Sequence, residues 1–239
     1  MPPDTMSEVR ASALAVLPAV IAMIPFALLL GALAAQKGLS PLEMALMSAL
    51  VFAGSAQFVA VDIWTEPAPW VLLTVTALLI NSRHLLMGAS LAPKIRHFGT
   101  GASLVALFSM VDETWALCEQ RARSRRTTFV YMVTMGAVLW VNWVAFTTLG
   151  TFVGALIGDP AAFGFDFAFS ALFLTLIVGL WRGPASGVAI AASAVAATGF
   201  HLAFDGPWYI AAGGIAGAIA GALYGPSGDV GELVTETGA

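Results

Sequence analysis

Apolar runs recur along nearly the whole chain, separated by short polar connectors. They are Ala11 to Gln36, Met44 to Val61, Trp70 to Ala92, Ala102 to Cys118, Thr127 to Ile157, Phe163 to Trp181, Gly183 to Phe200 and Pro207 to Tyr224. About 20 predominantly apolar residues suffice for a helix to cross the hydrocarbon core of a bilayer. The pattern therefore predicts an all-α, polytopic membrane helix bundle with seven or eight transmembrane helices, some of them interrupted. The connectors carry turn chemistry: Lys37-Gly38-Leu39-Ser40-Pro41, Thr65-Glu66-Pro67-Ala68-Pro69, Gly158-Asp159-Pro160 and Asp205-Gly206-Pro207.

Some runs carry residues that break helices. Pro18 and Pro25 lie inside the first run, where each removes a backbone hydrogen bond, so they mark either breaks or simple kinks. Gly54-Ser55-Ala56-Gln57 stands in the middle of the second. Backbone groups freed at such depth must face protein or a watery cavity. Gly213, Gly217, Gly221 and Gly225 recur every four residues in the last run, a ladder that lets helices approach closely, within the chain or against another subunit. Gly31-Ala32-Leu33 and Gly154-Ala155-Leu156 form a short internal similarity.

Composition fixes the class. Of 239 residues 59% are hydrophobic and 10% charged, against about 25% charged in soluble domains. The expected organisation is a cytoplasmic segment over 1–10, one transmembrane domain over 11–224 and a disordered acidic tail over 225–239. The uncharged stretch Ala11 to Gln36 is longer than the core of a secretory leader and reads as a retained span. A lone Cys118 excludes an internal disulfide and a Cys-rich metal site. No phosphate-binding loop or metal box is evident, so no cofactor or metal is expected; the net charge of -4 is uninformative about nucleic acid, because the acids are dispersed and the basic residues cluster at helix ends, and no nucleic-acid partner is expected.

Arginines in short loops set orientation. Arg121, Arg123, Arg125 and Arg126 place their loop in the cytoplasm, and Arg10 and Arg182 join it in an eight-span arrangement. Lys94 and Arg96 fall on the other side in that arrangement. Either their loop violates the rule or the fourth run, Ala102 to Cys118, is not a simple crossing.

Two charged pairs lie deep in apolar runs: Arg83-His84 and Asp112-Glu113. Arg83 is about 20 Å of helix from Trp70 and about 16 Å from Lys94, farther than a side chain snorkels comfortably. If the third and fourth runs form a helical hairpin, the midpoint between residues 84 and 112 is residue 98, inside the turn, so both pairs share one depth. Intramembrane charges usually serve a pathway, although an ion pair that fixes helix register is the competing account. Asn81 and His84 share a face, as do Asp112 and Trp115. Ser55 and Gln57 line one cavity only if the backbone unwinds near Gly54; otherwise they make helix-helix hydrogen bonds. The candidate substrate-binding residues are thus Ser55, Gln57, Asn81, Arg83, Asp112 and Trp115, and the candidate proton-coupling residues His84, Asp112 and Glu113.

Phe52-Ala53-Gly54-Ser55-Ala56-Gln57-Phe58, the run Asn81-Ser82-Arg83-His84-Leu85-Leu86-Met87-Gly88-Ala89-Ser90-Leu91-Ala92-Pro93, and Asp112-Glu113-Thr114-Trp115-Ala116-Leu117 together resemble the AzlC family of branched-chain amino-acid exporters. The resemblance extends from Ala11 to Tyr224. It implies a multi-pass permease of the bacterial inner membrane that works with a small AzlD-like membrane subunit and exports valine, leucine, isoleucine or methionine. Such cargo suits the residues: Arg83 for the carboxylate, Asp112 or Glu113 for the ammonium, and Phe52, Phe58 or Trp115 for the apolar side chain, with a proton as the simplest coupling ion. The alternatives are an intramembrane hydrolase using Ser55 and His84, a non-transporting scaffold subunit, and a passive channel.

Overall fold

A computed structural model of the chain describes residues 4–156, 183–204 and 208–224, with isolated positions 174, 177, 178 and 181 between them. Every regular element among these is helical. The chain divides into two compact units, 1–172 and 173–239.

In the first unit, α1 (Thr5–Gln36) and α8 (Phe129–Leu156) form a parallel pair. Asn142 Nδ2 donates to Val20 O, while a Cβ on Gly150 or Gly154 would meet the backbone of Leu28 or Ala32. These contacts keep one offset of 122 positions along both helices. Gly31 and Gly154, the first residues of the similar triplets Gly31-Ala32-Leu33 and Gly154-Ala155-Leu156, both lie in this close helix contact. A Cβ on Gly31 would stand 2.0 Å from Thr147 O. Pro18 and Pro25 do not break α1, which runs helical throughout.

The chain between these two helices contains three interrupted segments: α2 (Pro41–Val51) with α3 (Gly54–Asp62), α4 (Trp70–Asn81) with α5 (Arg83–Ile95), and α6 (Thr100–Phe108) with α7 (Asp112–Ala122). Ser82, between α4 and α5, keeps right-handed helical angles, so that interruption is slight and the segment continues across. The other two turn back. Lys37 Nζ, just past α1, donates to Asp62 O at the end of α3 at 2.6 Å, so α2 and α3 leave and regain the same end of the unit. Lys94 Nζ reaches Glu119 Oε1 at 2.7 Å, and Phe98 stacks edge-on against Phe129, so α6 and α7 do likewise at the opposite end. A full-length helix followed by a hairpin of half-helices thus occurs twice, in opposite directions.

Met44 to Val61, read from its hydrophobic pattern as one span, is therefore a hairpin, and so is Ala102 to Cys118, for which the sequence left a simple crossing open. Apolarity reports the medium around a segment and is the same for one crossing as for a descent and return. Four described helical stretches are long and apolar enough to cross a membrane: Thr5–Gln36, Trp70–Ile95, Phe129–Leu156 and Pro184–Ala203. Phe163 to Trp181, apart from positions 174, 177, 178 and 181, lies outside the described residues, as do Arg182 and the tail over 225–239.

Each hairpin tip is held by side chains that satisfy the freed backbone. At the first, Phe52 adopts a left-handed conformation (φ 39°), and the Trp140 indole donates to Ala49 O. Gly54 follows because the Trp143 ring would lie 3.1 Å from any Cβ there. At the second, the buried Thr114 hydroxyl accepts the Val111 N–H and faces the Ser109 and Val111 carbonyls. Beside an apolar core the first unit also buries Ser48, Gln57, Thr114, Thr147 and Thr151, while Leu78, Leu85, Leu86 and Phe152 are exposed. An apolar exterior is what a lipid solvent selects.

In the second unit, α9 (Pro184–Ala203) and α10 (Trp208–Tyr224) pack together. A Cβ on Gly213 or Gly217 would stand 3.1 Å from Ser193, closer than ordinary van der Waals contact, so within the described residues the glycine ladder serves packing inside the chain.

Candidate functional site at the meeting of two hairpin tips

Helix α8 measures the depth of each tip. Ser109 packs on Gly136, about 10 Å along α8 from Phe129, and Gly54 packs on Trp143, about 21 Å along. Between these levels stands Arg83. Its Nη2 donates to Ser55 Oγ at 2.8 Å and its Nη1 pairs with Asp112 Oδ2 at 3.0 Å. One guanidinium therefore ties together the crossing segment and both hairpins. Ser55 is the second residue of α3 and Asp112 the first of α7, so two half-helix N-termini approach Arg83 from opposite ends. Such termini present unpaired N–H groups and partial positive charge. Asp112 and Glu113 occupy the first turn of α7, where that charge favours carboxylates. Glu113 lies next to Asp112 on this turn, within reach of the Arg83 charge.

The ion pair is not sealed. The side chains of Arg83 and Asp112 keep 39% and 51% of their exposure, while Arg83 Nε is buried without a partner. Asn81 Oδ1, two residues away, is likewise buried and unpartnered. The cluster can thus present a cation, an anion, an unused donor at Arg83 Nε and an unused acceptor at Asn81 Oδ1 to a small polar ligand.

The remaining predicted residues are placed differently. Gln57 is not at this site: it is 1% exposed, donates to Ser48 Oγ at 3.1 Å and accepts the Trp143 indole N–H at 2.7 Å. The chain does turn out of helix before Gly54, but α3 is regular afterwards, so Ser55 and Gln57 point apart. Phe52 and Phe58 are buried in the core. His84 sets its Nδ1 3.2 Å from Asn81 O, one turn back on its own segment. Trp115 Nε1 donates to Ser90 Oγ at 2.8 Å, toward the arginine loop from Asp112.

Sequence reasoning missed a ladder between α5 and α7, which run parallel. Arg83 with Asp112, Ser90 with Trp115 and Lys94 with Glu119 are successive rungs. Its signal was present, since residues 83, 90 and 94 and residues 112, 115 and 119 each recur on one helical face. A buried pair, Glu8 with Arg121 at 2.6 Å, was also missed; Thr128 hydrogen-bonds the same carboxylate and the Tyr131 ring lies 3.9 Å from the guanidinium carbon.

The AzlC protein family model matches residues 18–157, which include both hairpins and Arg83. The chain belongs to the AzlC family. This AzlC protein is 30% identical over 209 residues to the inner membrane protein YgaZ of Escherichia coli, covering 85% of each chain. It is 31% identical to an uncharacterized membrane protein of Archaeoglobus fulgidus, over 77% of this chain and 81% of that one. It is also 32% identical to the branched-chain amino acid transport protein AzlC of Bacillus subtilis, over 60% of this chain and 56% of that one. No solved structure matches it.

Proposed function

We propose that this AzlC protein is a transporter of the bacterial inner membrane that exports branched-chain amino acids, valine, leucine or isoleucine and also methionine, with proton coupling and a small AzlD-like membrane subunit as partner. The observation that carries this reading is the Arg83 guanidinium held between Ser55 and Asp112 at two opposed half-helix N-termini. Half-helix N-termini near the bilayer midplane are a recurrent device for holding a substrate carboxylate. Arg83 supplies its partner, Asp112 or Asn81 Oδ1 receives the ammonium, and Glu113 and Asp112 carry the coupling proton. Competition follows directly: a zwitterion that takes Arg83 from Asp112 releases one hairpin from the other, which links binding to movement between the two ends. The name of the Bacillus subtilis relative supports the cargo.

Against the hydrolase alternative, Ser55 is engaged by Arg83 and His84 Nδ1 faces the Asn81 carbonyl, so these two residues are not paired as nucleophile and base, which supports the carrier. Counterflow in proteoliposomes, with and without a small partner subunit and across a panel of amino acids, tests the proposal. Saturable leucine or valine exchange that disappears in Arg83→Ala is expected. No exchange by the wild-type protein in the partner's presence would sink it in favour of a scaffold, and currents too large for a carrier would favour a channel.

A further inference from the structure

At the arginine-loop end, away from the Arg83 site, the α5–α6 and α7–α8 connectors enclose a cleft of about 500 Å³. Lys94, Arg96, His97, Arg125, Arg126 and Thr127 line it, and none of its lining residues is acidic. Lys94 is already neutralised by Glu119. Among the described residues no ion pair engages Arg96, Arg125 or Arg126, although Arg125 adds a longer-range attraction to Glu8. Arg96, Arg125 and Arg126 are exposed at the rim of this open cleft, where solvent screens their mutual repulsion in part and a bridging anion would relieve the remainder. Independent of charge, Thr127 is 1% exposed and its hydroxyl has no hydrogen-bond partner. A buried hydroxyl left unpaired costs free energy that a ligand oxygen would recover.

We infer that this cleft is a binding site for a phosphate-bearing anion, the headgroup of an anionic phospholipid in the adjoining leaflet. Arginine forks match phosphate oxygens in pairs, and basic pockets between membrane helices on the cytoplasmic side hold such headgroups. Depth favours a lipid over a soluble phosphate: Thr127 stands two residues before α8 begins, and the Phe98–Phe129 pair beside it marks the level where loop gives way to apolar helix. The inference is independent of the transported substrate.

The test uses the full-length chain, delipidated in a neutral detergent. Thermal stability is followed against added phosphatidylglycerol, phosphatidylcholine or inorganic phosphate, and retained lipid is counted by native mass spectrometry. Phosphatidylglycerol is expected to raise the melting temperature saturably with one lipid retained, and phosphatidylcholine to leave it unchanged. The triple variant Arg96→Gln, Arg125→Gln, Arg126→Gln should need about a hundredfold more lipid, at about fivefold per arginine. Thr127→Val should need about tenfold more, whereas Arg123→Gln, outside the cleft, should match wild type. If the triple variant does not fold, Arg126→Gln alone and Thr127→Val are read in its place. Equal shifts from phosphatidylcholine, or wild-type lipid affinity in the variants, would overturn the site. A full shift from inorganic phosphate alone would overturn the lipid as its occupant.

Discussion

Lys94 and Glu119 are 25 positions apart and meet at 2.7 Å, which brings the α5–α6 connector beside the Arg121 to Arg126 loop. The misplaced positive charge of Lys94 and Arg96 is thereby resolved: the segment between them and the arginine cluster goes in and comes back, so one end of the molecule carries all of these cations.

Labelling tests that topology. In a Cys118→Ser background, Gly99→Cys and Arg123→Cys should react with a membrane-impermeant maleimide from the same side, and Thr65→Cys from the opposite one. Labelling of positions 99 and 123 from opposite sides would restore the single crossing.

Weakening the central pair should lower transport strongly without abolishing the fold. Asp112→Asn and Arg83→Lys are each expected to lower counterflow by about tenfold or more, the worth of a charge-assisted hydrogen bond, while the protein still inserts and purifies. Lysine keeps the charge but lacks the fork that reaches Ser55 and Asp112 together. Normal flux in both variants would remove the site from the mechanism. Glu113→Gln should leave substrate binding intact while making flux insensitive to an imposed pH gradient.

Helix contact predicts an asymmetry between glycines. Gly31→Ala places a methyl 2.0 Å from Thr147 O, so it should cost about 1 to 3 kcal/mol and lower the melting temperature by several degrees. Gly88→Ala, with nothing within 4 Å, should stabilise by up to about 1 kcal/mol through helix propensity. Equal effects would argue against the close approach of α1 and α8.

Glu8 and Arg121, with 7% and 8% of their side chains exposed, form a pair that should tolerate removal together better than singly. Glu8→Leu alone strands a buried guanidinium and should cost about 3 to 5 kcal/mol. Combining it with Arg121→Met should recover much of that, as thermal unfolding of the single and double variants would report.

The sequence by itself determined the solvent and the chemistry. Apolar runs broken only by short connectors point to a membrane bundle, and charge deep in them needs a partner, so a meeting of Arg83 with Asp112 or Glu113 was readable from burial cost, while the choice of Asp112 was not. Even their shared depth was legible, though the simple hairpin that suggested it is not the geometry that produces it. What only the tertiary structure decided is direction and partnership. Hydropathy is blind to whether a segment turns back, because a residue in a returning half-helix meets the same surroundings as one in a crossing. Gln57 could not be told from a ligand-binding residue until Ser48 and Trp143, far away in sequence, supplied its hydrogen bonds. A buried polar group announces that it needs partners, but which partners it has depends on where the rest of the chain comes to lie.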